Sequence, residues 1–238
     1  DNAPTVQADA IGAGSAFFVV ANEDYINIDN LVDDISSDTV GTIALWVNPV
    51  DATPTSTNDI VFGLGDTTAN EYCIVHNDTA GKAFAVVRDG GTLQWQLGTD
   101  SAVFSDGTWT HIALVQDGTE PVIYVDGVAV AQTFATDTDK TVWFSDLTGI
   151  DNGRIGAMDF NSGGTTAHYG GNICQVGIWD AVLDQAQIQS VMEKTYEELT
   201  ASEKTNLVSY YPLDTVSNLA AGSGNVKDSH GSNHGTLA

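Results

Sequence analysis

Short apolar runs recur along almost the whole chain, and turn-forming residues separate them. The runs are rich in Val, Ile, Thr and aromatic residues, which fit the pleated, half-buried surface of a β-strand. Many short strands with turn signals between them are typical of an antiparallel sandwich. The pattern predicts strands at residues 17–20, 25–28, 42–47, 60–64, 72–76, 83–88, 93–97, 110–116, 122–125, 128–134, 153–157, 172–179 and 207–212.

Two Asp-Gly turns predict hairpins between consecutive strands. Asp126-Gly127 separates IYV from VAV, and Asp89-Gly90-Gly91 separates FAVVR from TLQWQ. A two-residue hairpin turn of type I′ needs positive φ angles at both central residues, which Gly, Asn and Asp tolerate best. Both turns therefore favour antiparallel pairing of their flanking strands.

The pattern predicts one short helix near the C-terminus, over residues 184–196. Asp184 can cap the helix, and Gln187 stands three residues later, as a capping box requires. Leu183 and Ile188 occupy the positions of a hydrophobic staple. A second capped turn is predicted from Thr200, where Glu203 repeats the spacing.

The composition is strongly acidic, and this excludes several partners. The chain has 238 residues, of which 42% are hydrophobic, with 32 Asp and Glu against seven Lys and Arg and a formal net charge of −25. Such a charge repels nucleic acid and anionic membrane surfaces. No apolar run approaches the ~18 residues that membrane insertion requires. The acidity itself is explained either by solubility or by binding of divalent cations, which prefer oxygen ligands.

The only two cysteines lie in apolar, strand-like segments. Cys73 stands in EYCIV and Cys174 in NICQVGIW. A disulfide between distant strands and a pair of buried thiols both fit this placement. The chain has no CxxC pattern that would indicate zinc.

Several segments, in their order along the chain, resemble the laminin-G-like, concanavalin-A-like jelly-roll family. They are FFVVANEDYINI, TIALWVNP, GTWTHIALVQDG, IYVDGVAV, GRIGA and HYGGNICQVGIWDAVLDQAQIQSV. The resemblance implies a two-sheet antiparallel jelly-roll sandwich over residues 1–206. It also implies an extracellular, secreted or surface-exposed protein, with a virion surface included, because the family supplies modules to extracellular, bacterial and phage proteins.

The C-terminal segment, residues 207–238, departs from the family order. It contains SYYPLD and DSHGSNHGTLA, which resemble the segment that normally opens the family's domain. Three explanations stay open. The segment could close the sandwich of its own chain, belong to a neighbouring repeat, or pair with another subunit in a homo-oligomer or larger assembly.

The sequence favours a protein that is not an enzyme. Glycoside hydrolases need two carboxylates that flank one glycosidic bond. No Glu shares a strand face with an acidic residue two or four positions away; the Glu residues are Glu23, Glu71, Glu120, Glu193, Glu197, Glu198 and Glu203. Related polysaccharide lyases use Arg, Lys, His and Tyr, and the chain has only two Arg and five Lys.

Calcium is the one cofactor that the resemblance implies. The family often brings oxygen ligands together at two positions that correspond here to residues 22–24 and 159–161. The candidate ligands are Asn22, Glu23, Asp24, Asp159 and Asn161. The alternative is that both segments are ordinary polar turns, in which Asn and Asp bond their own backbone.

Aromatic side chains for ligand binding are few. Tyr169, with His168 beside it in the AHYGGN loop, is the best candidate for an exposed ring, and Trp143 is a further candidate. Trp95 alternates in phase with Leu93 and Leu97, which indicates burial. These residues would serve a non-enzymatic module that recognises a glycan or protein ligand on a surface, with or without calcium. The alternative function is a structural subunit of a phage virion or extracellular filament that assembles through residues 207–238.

Overall fold

The computed structural model describes residues 4–7, 10–55, 59–219 and 226–238. It contains two eight-stranded antiparallel sheets and a two-stranded ribbon. The all-β, two-sheet sandwich predicted from the sequence is confirmed. Because the sheets stack face to face, every strand buries the alternate side chains that point to its partner sheet.

The first sheet has the order β1-β2-β16-β4-β9-β10-β11, with β17 beside the second half of β16. Its strands are β1 (Thr5–Gln7), β2 (Ser15–Phe18), β4 (Gly41–Pro49), β9 (Thr110–Gln116), β10 (Pro121–Val125), β11 (Val128–Ala129), β16 (Gly171–Trp179) and β17 (Leu207–Tyr211).

The second sheet has the order β12-β8-β7-β6-β5-β13-β3-β18. Its strands are β3 (Ile26–Asn27), β5 (Asp59–Gly65), β6 (Tyr72–Asn77), β7 (Ala83–Asp89), β8 (Thr92–Thr99), β12 (Gln132–Asp137), β13 (Asn152–Ile155) and β18 (Thr236–Leu237). The ribbon consists of β14 (Met158–Asp159) and β15 (Thr165–Thr166).

The main core lies between the two sheets. On β7, Ala83, Ala85 and Val87 are fully buried in this core, whereas Val86 belongs to a smaller cluster on the outer face of the sheet. Trp95 is fully buried in the main core, and its indole donates a 3.0 Å hydrogen bond to the Val142 carbonyl. Successive residues of β7 thus alternate between the core and the outer face of the sheet.

Both predicted hairpin turns have the expected backbone. Asp126 and Gly127 have φ angles of 48° and 73° and join β10 to β11. Gly90 and Gly91 have φ angles of 50° and 81° and join β7 to β8. The strand predicted at 128–134 is in fact split: β11 belongs to the first sheet and β12 to the second, so the chain crosses between sheets at residues 130–131.

The predicted helix begins where the capping box placed it but is shorter. Helix α2 spans Gln185–Val191, with the Asp184 carboxylate accepting from the Gln187 amide at 2.8 Å. It stops before residue 196 because Thr195 is extended and caps a separate 3₁₀ turn with Glu198. The turn predicted at Thr200 is present, since the Glu203 carboxylate accepts from the Thr200 amide at 2.7 Å.

A second short helix, α1 at Leu31–Ile35, was not predicted. Leu31, Val32 and Ile35 pack into the main core. Five residues are too few for the helical period to stand out in the sequence.

The two cysteines are not joined by a disulfide, so of the two alternatives that the sequence left open, the pair of buried thiols is the one present. Cys73 on β6 points into the main core. On β16, Ile173 and Val176 point into that core, and Cys174 lies between them on the outer face of the other sheet. Both thiols are fully buried, but a sheet separates them.

The C-terminal segment is paired within its own chain. Strand β17 pairs with β16, and the final strand β18 pairs with β3. Between them, the Asp228 carboxylate accepts hydrogen bonds from Ser209 Oγ and from the amides of Tyr210 and Asn233 at 3.0–3.1 Å. These contacts attach the segment to both sheets.

Candidate functional site

A cleft of about 730 Å³ lies at one end of the sandwich. Its position follows from the register of the first sheet, in which Gly171 lies level with Phe18 and with Pro49. The end of β2, the end of β4 and the start of β16 therefore meet there. The segments that continue from these strands form the walls, and Asp59 at the start of β5 contributes from the second sheet.

The rim of the cleft is apolar. Val20 and Val50 line it and are 51% and 59% exposed, among the few large hydrophobic side chains that the described chain leaves in solvent. Two exposed valines beside one cavity form a small apolar edge that a ligand could cover. Phe17 and Pro54 extend the apolar lining.

The polar lining is acidic. Glu23, Asp51 and Asp59 line the cleft, and none of the described lining residues is Lys or Arg. Glu23 is held at a φ angle of 60° as it ends a 3₁₀ turn. Asp51 is exposed and accepts a 2.9 Å hydrogen bond from the Thr53 amide. The cleft therefore presents acceptors and negative charge.

Asp59 is the most unusual of these carboxylates. Its side chain lines the cleft, yet the residue is only 8% exposed and its carboxylate accepts no hydrogen bond from any described residue. Burial, together with the negative charge of Asp51, raises the pKa of Asp59 to about 6. The charged form of Asp59 is thus partly desolvated, and no described residue donates a hydrogen bond that would compensate it.

Asp51 and Asp59 also form a pair of carboxylates that sequence reasoning missed. Carboxylates two or four residues apart on one strand share a face, whereas these two residues are eight positions apart and come together through the β4–β5 connection. Residues 56–58 of this connection lie outside the described part of the chain. The one sequence signal was the position of Asp59 directly before an apolar strand.

Tyr169 is buried, so its prediction as an exposed ligand-binding ring is wrong. It is 1% exposed and packs edge-on against Phe18, with ring centroids 6.3 Å apart. Its amide donates a 2.8 Å hydrogen bond to the Gly156 carbonyl, which holds the backbone against the second sheet. The ring of Tyr169 is therefore packed between the sheets, although the surrounding AHYGGN sequence is typical of a loop.

His168, the neighbour of Tyr169, lines the cleft and is half-buried. Its ring lies 6.1 Å from the ring of Tyr25. Of the three residues predicted to bind a ligand, it is the one that the structure places at the cleft.

Trp143 is also buried, and its prediction as a ligand-binding residue is corrected. It is fully inaccessible and stacks on Phe144, with ring centroids 4.1 Å apart. Gly41 makes room for it, because a side chain there would lie 2.9 Å from the indole nitrogen. Trp143 lies in a run of three large apolar residues, Val142 to Phe144, and all three belong to the buried core.

The first group of predicted calcium ligands lies beside the cleft. Asn22 is in the 3₁₀ turn Val20–Asn22, and Glu23 lines the cleft. Asp24 is 1% exposed, and one of its oxygens accepts a 2.9 Å hydrogen bond from the Val19 amide. Asp24 therefore serves at least partly to fix the backbone of the turn.

The second group has partners of its own. Asp159 lies 3.4 Å from the Arg154 guanidinium, which also pairs with Asp29. Asn161 has a φ angle of 55°, and its amide donates to the Asp66 carbonyl at 2.9 Å. Within the described residues, no three His, Cys, Asp or Glu side chains are placed to hold a metal ion. Calcium binding stays a prediction.

The helices of the described chain are all too short or too polar to cross a membrane.

Several solved structures share this fold. The CBM40 module of Ruminococcus gnavus IT-sialidase, bound to alpha2,3 sialyllactose, superposes with a TM-score of 0.55 at 20% identity, covering 67% of this chain and 85% of that one. The same module has been solved with alpha2,6 sialyllactose. A candidate carbohydrate-binding protein from Bacteroides ovatus ATCC 8483 gives a TM-score of 0.58 at 17% identity, with 90% and 55% covered.

An enzyme is also among the matches. The NanB sialidase of Streptococcus pneumoniae gives a TM-score of 0.61 at 17% identity, but only 28% of that chain is covered, against 79% of this one. Identities this low establish a shared fold and nothing finer. A search of curated protein sequences gives no match.

A family profile matches the sequence itself over residues 20–189. This range runs from the 3₁₀ turn after β2 into helix α2 and so includes most of both sheets. The chain belongs to the concanavalin A-like lectin/glucanase superfamily, in its laminin-G-like branch.

Proposed function

We propose that this chain is a carbohydrate-binding module that holds a glycan in the cleft and does not cleave it. The observation that carries the proposal is the combination of an open cleft, an apolar rim at Val20 and Val50, and carboxylate acceptors at Asp51 and Asp59. Small-ligand sites are typically concave, with volumes of roughly 300–1,000 Å³ and a few placed polar groups in an apolar lining. A cleft of about 730 Å³ falls within this range.

The chemistry of the lining suits a sugar. Sugar hydroxyls are hydrogen-bond donors, and ionised carboxylates are strong acceptors with room for several bonds. The C–H face of a pyranose ring is apolar and could pack on Val20 and Val50. A glycan therefore satisfies both kinds of surface at once, whereas a purely apolar ligand would leave Asp59 without a partner.

Structural relatives support the proposal at the level of fold. The CBM40 module was solved with sialyllactose bound, and the Bacteroides ovatus protein is a candidate carbohydrate-binding protein. Neither observation identifies the ligand of this chain, because the identities are 20% or less.

The enzyme alternative has one specific observation in its favour, the Asp51–Asp59 pair. A glycosidase needs one carboxyl group that keeps its proton near neutral pH and one that is ionised, and the raised pKa of Asp59 resembles the first. Incubation of the protein with candidate oligosaccharides, followed by mass spectrometry, separates the alternatives. Binding without new products supports a module, and product formation that is lost in Asp59→Asn supports an enzyme.

The binding proposal is tested with a glycan array and a pair of matched variants. Val50→Arg places a long side chain at the rim of the cleft, and Val128→Arg makes the same change at a 49% exposed valine on β11, outside it. We expect the wild type and Val128→Arg to bind the same glycans and Val50→Arg to lose them. An array that stays blank for the wild type, with and without calcium, would contradict the proposal.

A further inference from the structure

We propose that the cleft selects glycans that carry a free, protonated amino group and rejects glycans that carry a carboxylate, including sialylated ones. This inference deepens the proposed function and rests on it.

The charge of the cleft has one sign. Three carboxylates, those of Glu23, Asp51 and Asp59, line it, and His168 is the one basic side chain among the described lining residues. The whole chain adds a formal net charge of −25. Clefts lined by one sign of charge raise the local concentration of oppositely charged ligands and lower that of like-charged ligands.

Asp59 supplies a specific place for the amino group. It is more than nine-tenths buried, it lines the cleft, and its carboxylate has no hydrogen-bond donor among the described residues. A buried carboxylate is stable when a cation or several donors compensate it. An ammonium group brings both a positive charge and three N–H donors, and Asp51 beside Asp59 strengthens the attraction.

A sugar that carries a carboxylate is expected to be repelled by the cleft. Sialic acid carries a carboxylate, which would have to approach Asp51, Asp59 and Glu23 without an Arg or Lys from the described lining to receive it. Like charges at close range oppose binding. The sialyllactose that the CBM40 module binds is therefore not expected to bind in this cleft.

The inference predicts a pH dependence with a definite sign. An ammonium group pairs with Asp59 only when Asp59 is ionised, and the pKa of Asp59 is raised to about 6. The ionised fraction of such a group falls about tenfold from pH 7 to pH 5. The amine of an amino sugar only gains protons over this range, so weaker binding at pH 5 reports on Asp59. Asp51 and the buried Tyr169 lie close enough to Asp59 to interact with it electrostatically, and Glu23 and His168 are the other titratable side chains of the described cleft lining.

The experiment is isothermal titration calorimetry with three probes of similar size: a glucosamine trisaccharide, its N-acetylated counterpart and sialyllactose. Each is titrated at pH 7 and pH 5 into the wild type, Asp59→Asn and Asp137→Asn. Asp59→Asn removes the buried charge at nearly constant shape. Asp137→Asn removes one exposed charge on β12, outside the cleft, and so controls for general attraction to an acidic protein.

We expect the glucosamine probe to bind the wild type at pH 7 about tenfold more tightly than the N-acetylated probe, as one charge-assisted contact would provide. We expect this preference to be lost at pH 5 and in Asp59→Asn, to persist in Asp137→Asn, and sialyllactose not to bind. Melting curves of each variant verify that a loss of binding is not due to unfolding. An Asp51→Asn variant, which removes the neighbouring charge, should weaken the preference for the glucosamine probe.

Four results would overturn the inference, and they differ in what they say about the proposed function. Equal binding of the amino and N-acetylated probes, or tighter binding of sialyllactose, removes the selectivity but leaves a glycan-binding module. Equal losses in Asp59→Asn and Asp137→Asn would show that the attraction is not located in the cleft. No binding of any probe, together with a blank glycan array, removes both.

Discussion

The carboxylate of Asp228 accepts a 3.0 Å hydrogen bond from the hydroxyl of Ser209, and this contact joins the C-terminal turn to strand β17. Asp228 is 2% exposed and also accepts from the amides of Tyr210, His230, Gly231 and Asn233 at 3.0–3.1 Å. One side chain thus accepts from five donors, three of which belong to the buried residues Ser209, Tyr210 and Asn233.

The first prediction is that Asp228→Ala strongly destabilises the protein. Removing a charged acceptor leaves several buried donors unsatisfied, so we expect the free energy of unfolding in urea to fall by about 3 kcal/mol or more. Asp117→Ala is the control, because Asp117 accepts from the amides of Thr119 and Glu120 at an exposed turn, where water replaces the carboxylate and the loss should be about 1 kcal/mol or less. Equal losses in the two variants would contradict the role given to Asp228.

The second prediction is that Asp59→Asn makes the protein more stable at neutral pH. The folded-state pKa of Asp59, about 6, lies above the ordinary value of 3.8, so the folded protein binds the proton more tightly and the ionised form opposes folding. The effect is largest above pH 6 and vanishes as the pH falls through 4. We expect a gain of up to about 2 kcal/mol at pH 7, measured by urea unfolding at pH 7 and pH 4. A loss of stability of Asp59→Asn at pH 7 would contradict the conclusion that the ionised form of Asp59 opposes folding.

The third prediction concerns Glu203, whose shift has the opposite sign. Burial acts to raise its pKa but is outweighed by hydrogen bonds from Lys194, Ser190 and Thr200, which lower it from 4.5 to about 2. The contribution to stability is present above pH 4.5 and is lost as the pH falls toward 2. Glu203→Gln should therefore lower the melting temperature at pH 7 and have little effect near pH 2. A variant equally destabilised at both pH values would show that packing, and not charge, is responsible.

The fourth prediction is that neither cysteine reacts in the folded protein. Burial raises the pKa of Cys73 far above its usual range, and Cys174 is also fully buried. We expect no thiol titre with a disulfide-exchange reagent under native conditions and two thiols in guanidinium. A measured mass two daltons below that of the reduced chain would instead show a disulfide.

The regular part of the fold was predictable because it depends on local patterns. Alternation along strands such as β8, where Leu93, Trp95 and Leu97 alternate with polar residues, and the capping box at Asp184 needed only a few neighbouring residues to be recognised. The length of α2 was overestimated because Thr195, which ends the helical segment by capping its own turn, is an ordinary residue within a helix pattern. Helix α1 was missed because its core contacts, not its sequence period, define it.

The site was much less predictable. Tyr169 looked exposed because glycine and polar residues surround it, yet its position is decided by an apolar gap beside Phe18. The cleft depends on the register that brings Phe18, Pro49 and Gly171 level. That register joins residues more than 100 positions apart, and no local pattern contains it.

The pairing of the last strand has a consequence for how the chain reaches its native state. Strand β18, at Thr236–Leu237, completes the second sheet against β3, which lies more than 200 residues earlier. The edge of β3 at Ile26 and Asn27 that β18 covers therefore stays unpaired until residues 236–237 have been synthesised, whereas β13 pairs with its other edge. The second sheet can therefore be completed only late in synthesis, and an unpaired strand edge of this kind exposes the unfinished chain to aggregation.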